Sequence, residues 1–279
     1  MDQFPDEQHV WLRNRVHGTY LHADSDGRGV SLSRSQMSMK AAWVVHVYGD
    51  AQHVLLQSAA YGRYLSATNA LAPLTCRGYH VALRTYDDDD DVAIRWQPVR
   101  VGLGDAIWLR RVAEGGLLGY LRANGRYLLW NNVVSVDYLY TMSTLTEWVV
   151  QPIPSRECVP RLPSPPRQWL NPSVLMPSRV VMGNGEGCNA NKVAFPFRGR
   201  SVFLLRKELI RRLGFSPNVS DNLVMYVRAG RYGRLTPLVV NLPRNTQTLV
   251  ILITAEAPAN GRPRYPDFVQ RREDPEQVS

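Results

Sequence analysis

The chain has 279 residues, of which 44% are hydrophobic and 20% are charged, a composition typical of a folded globular protein rather than a disordered or fibrous one. No apolar run approaches the roughly 18 residues of a membrane helix, and the acidic start has no apolar core, so we expect neither a membrane span nor a secretory signal. The three cysteines, Cys76, Cys158 and Cys188, show no pair spacing, which excludes a disulfide framework and a cysteine-pair zinc site. A cytoplasmic protein is the simplest expectation, with the nucleus as the alternative.

The net charge of +9 is unevenly distributed along the chain. Residues 1–154 hold 14 Lys and Arg against 15 Asp and Glu, a balance of −1. Residues 155–279 hold the other 19 basic and 9 acidic side chains, a balance of +10. Such an asymmetry indicates two units with different partners.

One pattern recurs three times within residues 1–154. Each copy has an alternating apolar strand, a turn that leads into a Tyr-Leu pair, and a closing tryptophan in a strand-like setting. One copy cannot cover its own apolar face, but three copies around an axis close a barrel without exposed edges. The sequence therefore predicts a mainly β protein with an N-terminal β-trefoil. The predicted trefoil core comprises Leu12, Tyr20, Leu21, Trp43, Leu56, Tyr64, Leu65, Trp96, Leu109, Tyr120, Leu121 and Trp148.

The first copy carries a resemblance to a known family. Its Leu12-Arg13-Asn14 strand, Gly18-Thr19-Tyr20-Leu21-His22-Ala23 hairpin and Asp26-Gly27 turn are similar to those of fascin trefoils. Residues 1–154 as a whole resemble a plant fascin-like family of unknown function, DUF569, and the second half resembles its associated ubiquitin-like domain. The third copy departs from the pattern, because Leu118 stands where the hairpin glycine is expected. The resemblance implies an actin-related, actin-crosslinking-like or scaffold function.

The second half predicts a linker, a small α+β domain and a tail. Residues 155–177 are Pro-rich and predict a stiff linker, residues 178–254 predict a β-grasp domain, and residues 255–279 predict a disordered tail. The β-grasp prediction rests on the order ββαβββ, with Ser201 as a helix N-cap and Gly214 as its C-terminal stop. The predicted elements are strands Arg179–Met182 and Lys192–Phe197, helix Ser201–Leu213, and strands Leu223–Arg228, Leu235–Asn241 and Thr248–Thr254.

The predicted β-grasp domain is strongly cationic. Residues 178–254 hold twelve basic and three acidic side chains. A field of that sign attracts acidic surfaces, so we expect an acidic protein partner, with the actin filament as the case that the resemblance suggests and nucleic acid as an alternative. The candidate partner-binding residues are Arg200, Arg206, Lys207, Arg211, Arg212, Arg228, Arg231 and Arg234.

The remaining polar motifs do not predict catalysis. The run Asp87–Asp91 lacks the interleaved ligands of a calcium loop and predicts a solvated connection. No nucleophile stands beside a base, and the histidines lack ligand spacing, so we expect no enzyme, no cofactor and no metal site. Carbohydrate binding is an alternative, because ricin-type lectins are also trefoils, although their Gln-x-Trp motif is absent here. The sequence leaves open the oligomeric state and whether the two domains pack together.

Overall fold

The computed structural model describes residues 4–49, 52–73, 76–89, 91–112, 116–125, 132–138, 143–165, 178–185, 192–214, 223–254 and 264–268. The first part of the chain forms one twelve-stranded sheet. Its strands are β1 His9–Asn14, β2 Tyr20–Ala23, β3 Val30–Ser33, β4 Trp43–Tyr48, β5 His53–Ser58, β6 Tyr64–Leu71, β7 Tyr79–Arg84, β8 Gln97–Arg100, β9 Ala106–Val112, β10 Leu118–Ala123, β11 Val134–Asp137 and β12 Trp148–Pro152.

Six of these strands close a barrel, and the other six form three hairpins. In the barrel β1 pairs with β4 and β12, β4 pairs with β5, and β9 pairs with β8 and β12. The remaining seam between β5 and β8 is a bridge in which Val54 and Trp96 exchange both backbone hydrogen bonds. The hairpins β2–β3, β6–β7 and β10–β11 contact one another at one end of the barrel. This arrangement confirms the predicted β-trefoil.

The three repeat tryptophans occupy equivalent positions in the core. All three are completely buried, and each indole Nε1–H donates to the backbone oxygen of the leucine in its own Tyr-Leu pair. Each bond therefore ties the last strand of a copy to its hairpin. The three bonds are Trp43 to Leu21 at 3.0 Å, Trp96 to Leu65 at 2.9 Å and Trp148 to Leu121 at 2.9 Å.

The predicted core residues fall into two sets. The six leucines and three tryptophans lie in one buried cluster. The three tyrosines lie outside it, because successive residues of a strand point to opposite faces. Tyr20 is only half-buried beside Trp11, so its prediction as a core residue is wrong. Tyr64 and Tyr120 are buried in separate aromatic contacts, with Tyr86 and Trp108 respectively.

The hairpin turns explain the glycine that precedes the Tyr-Leu pair. Gly18 and Gly62 have φ angles of 66° and 69°, which are strained for a residue with a Cβ. In the third copy Leu118 begins strand β10, and Gly116 supplies the positive φ, at 78°. The longer turn of the third copy therefore still contains a residue with positive φ, but at a different position.

The second part of the chain has the predicted β-grasp, or ubiquitin-like, fold. Its elements are β14 Ser178–Gly185, β15 Lys192–Arg198, α1 Val202–Leu213, β16 Val224–Arg228, β17 Leu235–Pro237 and β18 Leu249–Thr254. The sheet order is β15-β14-β18-β16-β17, with β14 and β18 parallel. Strand β17 ends four residues before the predicted Asn241. The following chain leaves the sheet and brings the Leu242 N–H to the Arg200 oxygen.

Helix α1 begins and ends at the predicted caps. The Ser201 hydroxyl accepts a hydrogen bond from the Leu204 N–H, and Gly214 adopts the left-handed conformation with φ of 74°. One face of the helix packs its buried side chains onto the sheet, in a core shared with Phe195 and Ile251. The buried helix residues are Val202, Leu205, Leu209 and Leu213.

Part of the predicted tail is ordered. Strand β13, Ser155–Arg156, pairs with β19, Tyr265–Pro266, and Tyr265 is completely buried. The prediction of disorder is therefore wrong at residues 264–268, because an aromatic anchor and a backbone pairing hold that segment beside the start of the linker. Residues 166–177 of the predicted linker and the rest of the predicted tail lie outside the described residues, as does Cys188.

Replacing any one of the three core tryptophans by alanine should destabilise the trefoil by a similar amount. Because each change opens a large cavity and breaks an equivalent indole bond, we expect the free energy of unfolding to fall by about 3–5 kcal/mol in each variant. Leu103→Ala, at a fully exposed side chain, is the control and should stay within about 0.5 kcal/mol of the parent. Urea titrations followed by circular dichroism measure the difference, and a tryptophan variant as stable as the control would contradict the threefold core.

His9 should make the free energy of unfolding depend on pH. Burial lowers the pKa of His9 from 6.5 to about 4, so the folded chain keeps the imidazole neutral while the unfolded chain protonates it. The free energy of unfolding is therefore unaffected by His9 above pH 6.5 and decreases as the pH falls toward 4, by about 2 kcal/mol at pH 5. His9→Gln cannot titrate, so its urea-unfolding free energy should lose correspondingly less between pH 7.5 and pH 5. Parallel losses in parent and variant would refute the neutral buried imidazole.

Candidate functional site

The structure separates the eight candidate partner-binding residues into two groups and one isolated residue. Four lie on the solvent side of helix α1, three lie in or beside the loop between β16 and β17, and Arg200 stands apart. We call the first group the cationic helix face and the second the loop arginines. The cationic helix face comprises Arg206, Lys207, Arg211 and Arg212, and the loop arginines are Arg228, Arg231 and Arg234.

The cationic helix face is partly neutralised by one carboxylate. Glu208 accepts hydrogen bonds from Arg211 and Arg212, which lower its pKa to about 2. The ammonium of Lys207 lies 4.8 Å from the centre of the Phe203 ring, and the Arg212 guanidinium lies over Phe195. Four cations and one ionised carboxylate leave the face with a net charge of +3.

Arg200 holds the chain that follows the sheet rather than facing a partner. Its Nε donates to the Leu242 oxygen at 2.8 Å, and its own oxygen accepts from the Leu242 N–H. Burial, and then the nearby charge of Arg244, lowers the pKa of its guanidinium. Both effects indicate a structural function for Arg200.

The loop arginines lie where the two domains meet, which answers a question that the sequence left open. Arg234 donates to Asp6 of the trefoil in a bidentate ion pair, with distances of 2.9 and 3.1 Å. The backbone N–H of Arg234 donates to the Tyr64 hydroxyl, and its backbone oxygen accepts from the buried Gln57 amide at 2.9 Å. Tyr64 and Gln57 therefore recognise the backbone of this loop.

The ion pair also perturbs neighbouring titratable groups. Burial opposes ionisation of Asp6, but hydrogen bonds from the Arg234 guanidinium and the Val47 amide outweigh it and lower its pKa. Burial, reinforced by Arg234, lowers the pKa of His46 to about 4. At neutral pH this edge of the interface thus holds an ionised Asp6 and an uncharged His46.

A close backbone approach fixes the same loop from the other side. The Tyr86 N–H donates to the Ala229 oxygen, and the Tyr86 oxygen accepts from the Tyr232 N–H, both at 2.9 Å. Gly230 lies between them with a φ of 94°, and a Cβ there would lie 2.4 Å from the Tyr86 oxygen. Glycine is required at this position because the trefoil backbone occupies the space of a side chain.

In the acidic run beside Tyr86, Asp87, Asp88 and Asp89 are exposed, in agreement with the predicted solvated connection, and the run also makes specific hydrogen bonds. Asp87 accepts a hydrogen bond from the Arg231 N–H of the second domain. Asp89 accepts from the Tyr86 hydroxyl at 2.6 Å, and Asp91 accepts from the Ala93 N–H at the start of a short 3₁₀ turn. Asp87 therefore connects this loop to the trefoil, and Asp89 and Asp91 make contacts within the trefoil. Asp90 lies outside the described residues.

A second contact joins the first hairpin turn to the segment that follows β17. The Arg244 N–H donates to the Ser25 oxygen, and the Asn245 side chain donates to the Asp26 oxygen, both at 2.7 Å. Pro243 packs so closely on Gly27 that an added Cβ would lie 2.5 Å from it. Residues of the first and second trefoil copies thus both contact the ubiquitin-like domain.

A cavity of about 780 Å³ opens between the domains. The trefoil contributes His9, Met39 and Val44 to its wall, and the ubiquitin-like domain contributes β16, β17 and the loop between them. The ordered C-terminal segment closes a third side with Tyr265 and Pro266. The charged residues of the wall are Glu7, Glu157, Arg228, Arg231, Arg234 and Arg264.

The trefoil side of this site was not predicted. Asp6 and Tyr64 carry no local pattern that separates them from ordinary loop and strand residues. The one available signal was Gln57, a polar residue that follows Val54-Leu55-Leu56 inside an apolar strand and therefore needs a buried partner. Among the described residues, no cluster of His, Cys, Asp and Glu is arranged to hold a metal ion, and no helix is long and apolar enough to cross a membrane.

Similarity to solved structures covers about half of the chain. A Caenorhabditis elegans protein of unknown function is 17% identical, with a TM-score of 0.42, over 53% of this chain and 96% of that chain. A ricin B-like lectin from Macrolepiota procera, solved in complex with lactose, is 15% identical, with a TM-score of 0.41, over 53% and 96%. The SDF2-like protein from Arabidopsis thaliana is 14% identical, with a TM-score of 0.43, over 52% and 92%. Comparison with curated proteins gives no significant match.

Two family models together match most of the chain. One, described as a β-trefoil domain of unknown function (DUF569), matches residues 1–151. The other, described as the ubiquitin-like domain associated with DUF569, matches residues 180–254. The matched ranges contain the closed barrel and the β-grasp sheet respectively. The chain therefore belongs to the DUF569 β-trefoil family and carries the ubiquitin-like domain associated with it.

Proposed function

We propose that this protein is a non-enzymatic interaction protein that binds an acidic protein surface through the cationic helix face. The observation that carries the proposal is the net charge of +3 on one solvent-facing side of a single rigid helix. The loop arginines do not belong to this surface, because they lie at the domain junction. A positive surface of this kind raises the rate and the specificity of association with an acidic partner.

The cationic helix face also offers apolar contact area. Leu204 is 46% exposed, and Lys207 and Arg211 lie three and seven residues after it, so the three share one side of the helix. Phe203 is half-buried under the Lys207 ammonium. An exposed leucine on the same side as Lys207 and Arg211 fits a partner that has an apolar contact beside carboxylates.

The helix itself is well suited to present these side chains. Its opposite face is anchored by four buried residues, and both of its ends are capped. Of the two arginines that contact Glu208, Arg212 is the less exposed, with 35% of its side chain accessible, and it stacks on Phe195. Arg212 is therefore left unchanged in the charge-reversal variant, which alters Arg206, Lys207 and Arg211.

The actin filament is the acidic partner that the fascin resemblance suggests, and we propose binding rather than bundling. Bundling requires two filament sites on one particle. The chain has one trefoil, and the proposed contact is one helix face. Carbohydrate and nucleic acid are the alternative ligands: nucleic acid would use the same basic charge of the C-terminal domain, whereas carbohydrate binding would not depend on the charge of this helix.

Charge reversal on the helix should abolish filament binding. Co-sedimentation with filamentous actin should pellet the parent chain at about 0.1 M salt and much less of it at about 0.3 M, because salt screens exposed charges. The triple variant Arg206→Glu, Lys207→Glu and Arg211→Glu should bind at least about tenfold more weakly at the lower salt. Circular dichroism checks that the helix is retained.

The matched control reverses three exposed arginines elsewhere, Arg34, Arg84 and Arg198, and so changes the net charge by the same amount. It should pellet like the parent. No pelleting of the parent even at low salt would exclude actin. Equal loss in both triple variants would show that total charge, not the helix, determines binding. Retention of the parent on a glycan array, unchanged in the helix variant, would favour the carbohydrate alternative.

A further inference from the structure

The cavity between the domains is a ligand-sized space with an uneven distribution of polar groups. Its volume of about 780 Å³ is within the range of small-molecule sites, roughly 300–1,000 Å³, and is too small for a macromolecule. Exposed residues form its mouth, and buried residues form its base. The base includes the buried His9, Gln57 and Tyr226, and Met39 and Val44 add half-buried apolar surface.

Positive charge concentrates at the mouth. The guanidinium groups of Arg228, Arg231 and Arg264 are exposed there, and none of the three makes an ion pair with a described residue. The fourth arginine of the wall, Arg234, is neutralised by Asp6 in the bidentate pair. Three guanidiniums around one opening are mutually repulsive unless an anion lies between them.

Two carboxylates also line the wall and limit the positive field. Glu7 lies 4.0 Å from the Arg234 guanidinium, on the side where that arginine contacts Asp6. Glu157 follows strand β13 and has a partner of its own. With Arg234 neutralised by Asp6, the remaining charged residues of the wall are three arginines and two glutamates, which sum to +1, so the field at the mouth stays positive.

The mouth also provides an aromatic surface. Tyr232 is 42% exposed, and the Arg231 guanidinium lies 5.5 Å from the centre of its ring. The other side of Tyr232 contacts Tyr86 of the trefoil at 5.5 Å between ring centres, which holds the ring in place. A flat apolar group entering the cavity would meet this ring on one side and Met39 or Val44 deeper inside.

We propose that the interdomain cavity binds a small organic anion, with a phosphate, sulfate or carboxylate group at the arginines of the mouth and an apolar body in the base. Guanidinium groups recognise such oxyanions through paired N–H donors, and three of them make no ion pair with a described residue. The base stays uncharged, because burial lowers the pKa of His9 to about 4 and raises the pKa of Tyr265. The site requires both domains and the C-terminal segment, and it is separate from the cationic helix face.

A fluorescent aryl sulfonate tests the proposal on the full chain. 1-Anilinonaphthalene-8-sulfonate combines an aromatic body with one anionic group and should give saturable binding to a single site. The triple variant Arg228→Gln, Arg231→Gln and Arg264→Gln should weaken that binding on the order of tenfold or more. The control Arg206→Gln, Lys207→Gln and Arg211→Gln removes the same charge from the helix and should bind like the parent.

Competition identifies the chemistry that the site selects. Naphthyl phosphate and naphthoate should displace the probe, and neutral naphthol should not. Equal displacement by naphthol, or equal affinity in the two triple variants, would mean that the probe binds exposed apolar surface elsewhere and would overturn the proposal. Absence of saturable binding would also overturn it. Should the cavity triple variant fail a near-ultraviolet circular dichroism check of its fold, the three single variants carry the test.

Discussion

The structure depends on a constraint that acts on each repeat: no copy can bury its own apolar face. The three copies meet this constraint together, by placing six leucines and three tryptophans in one closed core. Each indole donates to the backbone of its own hairpin, so barrel and hairpins are fixed relative to each other. The residues that contact the ubiquitin-like domain, in the first hairpin turn and in the second copy, are consequently held at defined positions.

Most of the hydrogen bonds between the domains involve backbone groups. Gln57, Tyr64 and Tyr86 all recognise the backbone of the loop after β16, and Ser25 and Asp26 recognise the segment after β17. Backbone recognition places few demands on side chains, apart from Gly230, where close approach leaves no room for a Cβ. The docking of the domains also divides the positive charge of the ubiquitin-like domain between two places. Arg234 docks the domains, and the helix cations lie on a separate, solvent-facing surface.

The sequence predicts those parts of the molecule whose causes are local or repeated. The trefoil follows from three recurrences of one pattern, and helix α1 follows from its apolar spacing and from the caps Ser201 and Gly214. The interface could not be predicted, because Asp6 and Arg234 lie 228 residues apart and neither has a distinctive neighbourhood. The ordered segment at Tyr265 was missed for the same reason: its pairing strand, Ser155–Arg156, is remote and only two residues long. The candidate site was therefore half predicted, since charge identified the arginines but only the fold separated them into two groups.

Hydrogen exchange followed residue by residue tests the threefold core and the docking that it supports. The account predicts that the indole N–H groups of Trp43, Trp96 and Trp148 exchange in one slow class, because they open only when the trefoil unfolds. It also predicts protection of the Tyr86 and Tyr232 amides, whose hydrogen bonds join the two domains. Exchange of any one of the three indoles at the rate of an exposed group would contradict the core, and unprotected Tyr86 and Tyr232 amides would contradict the docked arrangement.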